Sequence, residues 1–312
     1  LRAGSLNRIV FKYKKKLMEN TILIAGATGN LGGRIVRELI RRGATVRALV
    51  RANSDDNKVA QLKQQGVEII EADLRNKGQV TKACEGVACV ISSLQGLGDV
   101  LIDTQSALLE AAIAAGVPRF IPSDFATDFT RIPDGENRNF DLRRAFMKHI
   151  DQQPIAATSI LNGAFADMLL YGLPLFDTRK KQVSYWENPD WPIDFTTMDD
   201  TAAYTAAAAL DSSTPRILRI ASFQISPNEL VAVSEDVMPE KFDLVRLGSL
   251  QELAAYNQRE RAAHPEGEGE IYPRWQQGQY MQSMFSVHNE SLDNDRYPDV
   301  HWTGIRELLS SR

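Results

Sequence analysis

Glycines at positions 26, 29 and 32, in the segment Gly26-Ala27-Thr28-Gly29-Asn30-Leu31-Gly32, follow a short apolar run and open a stretch of helical periodicity. In that context each glycine has a separate use. The first permits a tight turn, the second lets backbone approach a pyrophosphate, and the third lets the helix lie close on the strand. N–H groups left open at the helix start then face phosphate oxygens, with Thr28, Asn30 and Leu31 completing the loop. The chemistry this spacing serves is dinucleotide binding. Arg51 stands at the end of the next apolar run, 25 residues after Gly26. An acid there would accept from a ribose 2′-OH, whereas an arginine suits a 2′-phosphate. Lys58 adds positive charge, and Asp55 and Asp56 lie nearby. The expected cofactor is NADP(H) in preference to NAD(H). Asp73 and Leu74 are placed to border the adenine. Ser92, Ser93 and Leu94 end a fourth apolar run and should pass beside the cofactor.

Other chemistries are missing from the text of the chain. No tyrosine is followed four residues later by lysine, so the usual tyrosine–lysine acid/base pair of short-chain dehydrogenases is absent. There is no Walker A segment and no GxSxG elbow. The histidines, His149, His264, His288 and His301, form neither HExxH nor HxxxH, and no metal site is expected. Cys84 and Cys89 fit neither a redox CxxC nor a zinc pattern, and two thiols in 312 residues point to a reducing, cytoplasmic setting.

Strands alternating with helices must hold these residues. TILIAG (21–26), ATVRALV (44–50), VEIIEAD (67–73), VACVISSL (87–94) and PRFIPSDF (118–125) read as strands. Helices are expected over 30–43, with Leu31, Ile35, Leu39 and Ile40 on the inner face, over the NKVAQLKQQG segment, up to Cys84, and over 99–116. Gly43, Gly66 and Gly116 act as stops. Helical crossovers of this length require a parallel sheet with right-handed connections. After Ala126 the rhythm changes. A helix is expected over 140–151, a sixth strand over IAATSIL (155–161), an alanine-rich helix over Asp200–Leu210, and a helix capped by Ser226-Pro227. The last sixty or so residues are rich in Gln, Tyr, Trp and Pro, and the chain shows no repeat and no low-complexity linker.

Composition bounds the function. Hydrophobic residues make up 43% and charged residues 24% of the chain, an ordinary globular balance. No apolar run is long enough to span a membrane. Residues 1–17 hold six of the 36 basic residues and no acid, leaving 30 basic against 40 acidic residues in the rest. A body that acidic is a poor nucleic-acid binder. Residues 1–17 read as leader or appended sequence, since MENTILIAGATG reads like a natural start; a basic membrane- or nucleic-acid-binding arm is the alternative. The expected division is a dinucleotide-binding domain over 18–160 and a substrate subdomain over 161–312, partly interleaved with it.

From Met18 to the C-terminus the chain resembles the NmrA-like group of atypical short-chain dehydrogenase/reductases, especially its isoflavone-reductase-like branch. GATGNLGG matches the opening loop, VRALVR the second strand, and RFIPSDF (119–125) the RFxPSEF segment. NGAF (162–165), TTMDDTAAYTAAAALD (196–211) and DNDRYPDVHWTGIRELL (293–309) resemble a loop, an Asp-rich helix start and a C-terminal helix pair. The resemblance implies an NAD(P)-binding Rossmann fold, a doubly wound parallel α/β sheet, with a smaller α+β C-terminal substrate subdomain. It also implies NADPH-dependent reduction of a small aromatic or apolar carbonyl or enone. In such reductases a lysine in an FxxKxxxRRxIE helix is the proposed acid/base. Aligned from Phe140 to Asp151, that position holds Arg143, while Lys148 takes a later arginine position. Arginine stays charged and is no base, though it can bind an anion or polarise a carbonyl. An NADP(H)-sensing regulator with a protein partner and no catalysis is the alternative implied; an emptied scaffold is weaker, because the glycines and Arg51 are retained. Substrate-side candidates are Phe125, Asn162 and Phe165, with Phe129, Met168 and Tyr171 beside them. Either a monomer or a homodimer fits.

Overall fold

The computed structural model describes residues 20–311; the basic leader over 1–17 lies outside them. The described chain forms two compact units. The first takes the residues up to Ser123, then Phe146–Ser159 and Ala202–Arg216; the second takes Asp124–Ala145, Ile160–Thr201 and Ile217 onward. The boundary expected at 160/161 therefore differs from the packing. Residues 124–145 pack with the second unit, and 202–216 return to the first.

The first unit is built on six parallel strands, β1 Thr21–Ala25, β2 Thr45–Val50, β3 Glu68–Glu71, β4 Cys89–Ser92, β5 Arg119–Ile121 and β6 Ala156–Ala157. Their order is β3-β2-β1-β4-β5-β6 and every pairing is parallel. This is the doubly wound Rossmann order, whose ligand crevice lies outside the carboxyl ends of the strands where the order reverses, between β1 and β4. The strands are joined through α1 Asn30–Arg41, α2 Asp56–Gln64, α3 Lys77–Cys84 and α4 Gln105–Ala114. Leu23, Val90, Leu108, Phe120 and Phe146 are fully buried in one cluster between sheet and helices. The inner face of α1 is Gly32, Ile35, Val36 and Leu39. That is a rotation from the expected face, in which Leu31 and Ile40 are only half buried. The third glycine sets it, because Gly32 is the residue pressed onto the strand. The helix expected over 99–116 opens instead as a π-helical turn, Asp99–Thr104, before α4.

The expected sixth strand divides. Ala156–Ala157 extends the large sheet beside β5, whereas β7 Ser159–Leu161 pairs with β12 Ile217–Arg219. Thr158 sits at the division, its hydroxyl donating to the Pro215 carbonyl.

In the second unit, α5 Arg138–Ile150 contributes its first turns. β8 Ala164–Phe165, β11 Ile193–Thr196 and β13 Phe223–Ile225 form one small sheet, and β9 Phe176–Asp177, β10 Gln182–Trp186 and β14 Asp243–Gly248 another. The helices here are the one-turn α6 Met168–Tyr171, the start of α7 Met198–Leu210, α8 Pro227–Val237, α9 Leu250–Ala263, α10 Arg274–Met284 and α11 Ile305–Ser310. Ser226 caps α8 in a reciprocal capping box with Glu229. Of the expected C-terminal helix pair, only α11 is a helix of more than one turn; the first member is a 3-10 turn at Asn294–Arg296. There Asp293 accepts from the Arg219 N–H and Asn294 from the Ala221 N–H, so both side chains are committed to a neighbouring segment.

Candidate functional site

Gly26 ends β1 with φ +91°, a conformation open to glycine, and a Cβ there would lie 2.5 Å from the Ser93 carbonyl oxygen. The turn closes with Gly29 N–H donating to the Gly26 carbonyl at 2.9 Å. A Cβ on Gly32 would lie 2.1 Å from that same carbonyl, so the third glycine is fixed by helix–strand packing. Gly29 differs. It is exposed, has ordinary backbone angles, and an added Cβ would meet only the Gly26 oxygen, at 3.1 Å. Being the N-cap, it also offers no side chain to the first-turn N–H groups, and that turn holds no acid. The loop thus presents a bare, positively polarised helix start of twelve-residue α1, a fit for phosphate.

A cleft of about 340 Å³ opens beside this loop, lined by Thr28, Gly29, Asn30, Arg37, Lys58 and Gln61 among others. It brings together the expected Thr28, Gly29, Asn30 and Lys58. It adds Arg37, which the sequence reading missed. The available signal was spacing: Arg37 lies one turn after Gly33 and two turns after Asn30, hence on the loop side of α1. Arg37, Lys58 and the exposed Arg51 make no side-chain ion pair or hydrogen bond among the described residues, unlike Arg41 with Glu38 or Arg47 with Glu68. Arg51 is not part of the cleft lining. Asp55 does not compete for a ribose, because its carboxylate caps α2 by accepting from the Asn57 and Lys58 N–H groups.

The remaining cofactor-side residues separate. Asp73 is exposed and accepts from the Arg75 N–H, while Leu74 packs against the core. Ser92 is enclosed, with its hydroxyl unpartnered. Ser93 spends its hydroxyl on the Ala25 carbonyl at 3.1 Å, and Leu94 is half buried.

In the second unit, Arg143 lies half buried on α5. One guanidinium N–H group donates to the Asn139 carbonyl of its own helix, and Nε is enclosed without a partner. The adjacent Arg144 is the structural member of the pair, bound to Asp134, Asp141 and the Phe129 carbonyl. Lys148 is exposed five residues beyond Arg143, roughly 140° around the helix, so the two point away from each other. Asn162 has 0% exposure and both amide atoms lack partners. Gly163, at φ +64°, is held against the Asp194 backbone, where a Cβ would be 2.3 Å from its carbonyl oxygen. Phe125 is buried and Phe165 half buried. Phe129 is core, 6.1 Å from the Phe140 ring. Tyr171 is 86% exposed.

Burial pushes the Cys84 and Cys89 thiols up to about 12, so neither is a thiolate near neutral pH. Among the described residues, no group of three or more His, Cys, Asp or Glu side chains is placed to hold a metal, and no helix is long and apolar enough to cross a membrane.

The chain is similar to a bifunctional pinoresinol-lariciresinol reductase of Linum album, 28% identical over 328 residues that cover 98% of each chain. It superposes on the crystal structure of an isoflavone reductase with a TM-score of 0.79 at 22% identity, covering 94% of this chain and 99% of that one. A leucoanthocyanidin reductase–NADPH binary complex from Vitis vinifera gives a TM-score of 0.74 at 19% identity, covering 89% and 94%. Residues 18–267 match the model of the NmrA-like family, and with the glycine loop, the strand order and the reductase relatives in agreement, the chain belongs to that family.

Proposed function

We propose that this protein is an NADP(H)-dependent reductase of a small aromatic or apolar carbonyl or enone compound. The observation that carries the cofactor preference is the pair Arg37 and Lys58, unpaired among the described residues, in the cleft beside a bare helix start, with the likewise unpaired Arg51 just after β2, outside the cleft lining. Unpaired positive charge beside a phosphate-binding loop fits a 2′-phosphate better than a 2′-OH. Bound NADPH supplies the hydride. The chain's own residues do the rest: the glycine loop holds the pyrophosphate, the cations hold the 2′-phosphate, and Arg143 binds and polarises the substrate oxygen. The guanidinium stays protonated throughout, so Arg143 stabilises developing negative charge, and the proton that completes the reduction comes from water. Nε is enclosed, so the N–H groups open to a substrate oxygen are those at the outer end of the half-buried guanidinium. The relatives reported above are named as reductases, which favours this reading over a partner-sensing regulator.

Titration calorimetry tests the cofactor half. Wild type is expected to bind NADPH more tightly than NADH. Arg51→Ala, Lys58→Ala and Arg37→Ala should each weaken NADPH roughly tenfold or more and leave NADH unchanged, since a hydrogen bond to a charged group contributes about 1.5–3 kcal/mol. Equal wild-type affinity for both cofactors overturns the preference.

NADPH consumption against a panel of aromatic carbonyls and enones tests the catalytic half. If Arg143 polarises the substrate, Arg143→Ala is slower by on the order of a hundredfold. Activity that rises in Arg143→Lys would instead make the arginine a degenerate form of a lysine acid/base.

A further inference from the structure

The π-helical turn Asp99–Thr104 is followed at once by Gln105, a polar side chain with 1% exposure. The wide turn sends the Gln105 backbone N–H to the Val100 and Ile102 carbonyls. The side chain supplies the bond its backbone does not: Nε2 donates to the Leu101 carbonyl at 3.0 Å. The other end of the same amide, Oε1, accepts the Ser123 N–H at 2.8 Å, at the end of the segment that follows β5. Ser123 in turn donates its hydroxyl to the Leu94 carbonyl, 2.7 Å away, in the segment that follows β4. Each end of the amide thus has one partner of the correct type, which fixes its orientation. A single buried side chain ties the start of α4 to the carboxyl end of β5, and through Ser123 to the carboxyl end of β4. A π-turn where a regular helix was expected is the kind of local irregularity that accompanies functional constraint.

We infer that Gln105 is a positioning residue that sets the spacing of the β4 and β5 ends, and so the placement of the nicotinamide half of the cofactor. The inference rests on the proposed dinucleotide site, in which the nicotinamide end runs past Leu94. The hydrogen bonds of Gln105 go to neither the glycine loop nor the three cations, so its effect is separable from theirs. Hydride transfer is sensitive to displacements of about 1 Å, which cost on the order of a hundredfold in rate, whereas overall affinity is set by the phosphate contacts.

The test is Gln105→Met, which keeps the length and removes both hydrogen-bonding ends, with Ser123→Ala as the second variant in case the first fails to fold. NADPH is titrated by calorimetry and by its nicotinamide fluorescence, and turnover is measured on the best substrate of the panel. The expected result is an NADPH Kd within about threefold of wild type, a changed bound-state emission, and kcat lower by ten- to a hundredfold with little change in the substrate KM. Ser123→Ala should move emission and kcat in the same direction by less. Wild-type emission and kcat in a folded Gln105→Met protein overturn the inference, as does a lower melting temperature with no spectroscopic change. If wild type itself shows no saturable NADPH binding, the dinucleotide reading falls first and this inference with it.

Discussion

Gly29→Val is expected to abolish dinucleotide binding while leaving the protein folded, and Gly32→Val to unfold or strongly destabilise it. The two glycines are three residues apart, yet their surroundings differ. At Gly29 the backbone is in an ordinary extended conformation and a Cβ would meet one oxygen at 3.1 Å, so the fold accommodates a side chain with a small adjustment. The added methyl groups then occupy exposed space at the start of α1, where the pyrophosphate must approach. Loss of that approach should cost at least a hundredfold in NADPH affinity, since the phosphate contacts act together. At Gly32 the Cβ would sit 2.1 Å from the Gly26 carbonyl oxygen, a backbone atom that cannot swing aside. Overpacking of this kind costs about 1–3 kcal/mol or more. Circular dichroism melts and NADPH fluorescence titrations on both variants check the pair. Retained binding in Gly29→Val, or equal stability losses in the two, would contradict the assignment.

Arg119→Ala should cost about 3–5 kcal/mol of stability, the largest effect expected away from the glycine loop. Arg119 is 6% exposed on β5, and its guanidinium donates to the Ala209 carbonyl at 3.0 Å, the Ala208 carbonyl at 2.9 Å and the Thr214 hydroxyl at 2.6 Å. Those carbonyls belong to the last turn of α7, where a cation also complements the helix dipole. Truncation leaves several buried acceptors unmet at once. Arg119→Lys should recover only part of the loss, because one ammonium group cannot reproduce the planar fork. Denaturant unfolding of the three proteins measures this. A loss under 1 kcal/mol in Arg119→Ala would show that water replaces the guanidinium.

Arg119 also illustrates what the sequence made legible. RFIPSDF marked the segment, but not that its first residue reaches a helix ninety positions later. The alternation of β1 to β5 with helices was readable because short apolar runs and 3.6-residue periodicity are local properties. The glycine loop was readable because its three glycines recur at a spacing of three between an apolar run and a helical period, although only Gly26 and Gly32 are demanded by packing and Gly29 is left open. Spacing shows which side of α1 carries Arg37, but not that it shares a cleft with Lys58, which depends on how α1 and α2 lie together. The C-terminal region failed for a different reason. Three of the seven residues that α10 buries are glutamines: Gln276 donates to Asn137 Oδ1 at 2.9 Å, and Gln279 accepts from the Arg138 N–H. Buried glutamine bonded to partners distant in sequence has no apolar periodicity to reveal it. Asp194 is similar. Its carboxylate is raised above the ordinary range by burial, and holds Gln224 and Asn289 from well separated stretches of chain.

The passage of the chain between the two units has a consequence for synthesis. It crosses five times, and the first unit is not complete until Arg216. A ribosome that has released residues up to 160 has delivered all six strands of the large sheet. It has not delivered Ala208, Ala209 and Thr214, which satisfy Arg119 inside that unit. The nascent first half therefore waits with a buried-site arginine unmet until some fifty further residues emerge. No single cut in the gene yields either unit intact, so the cofactor-binding half is a domain in space but not in the reading frame.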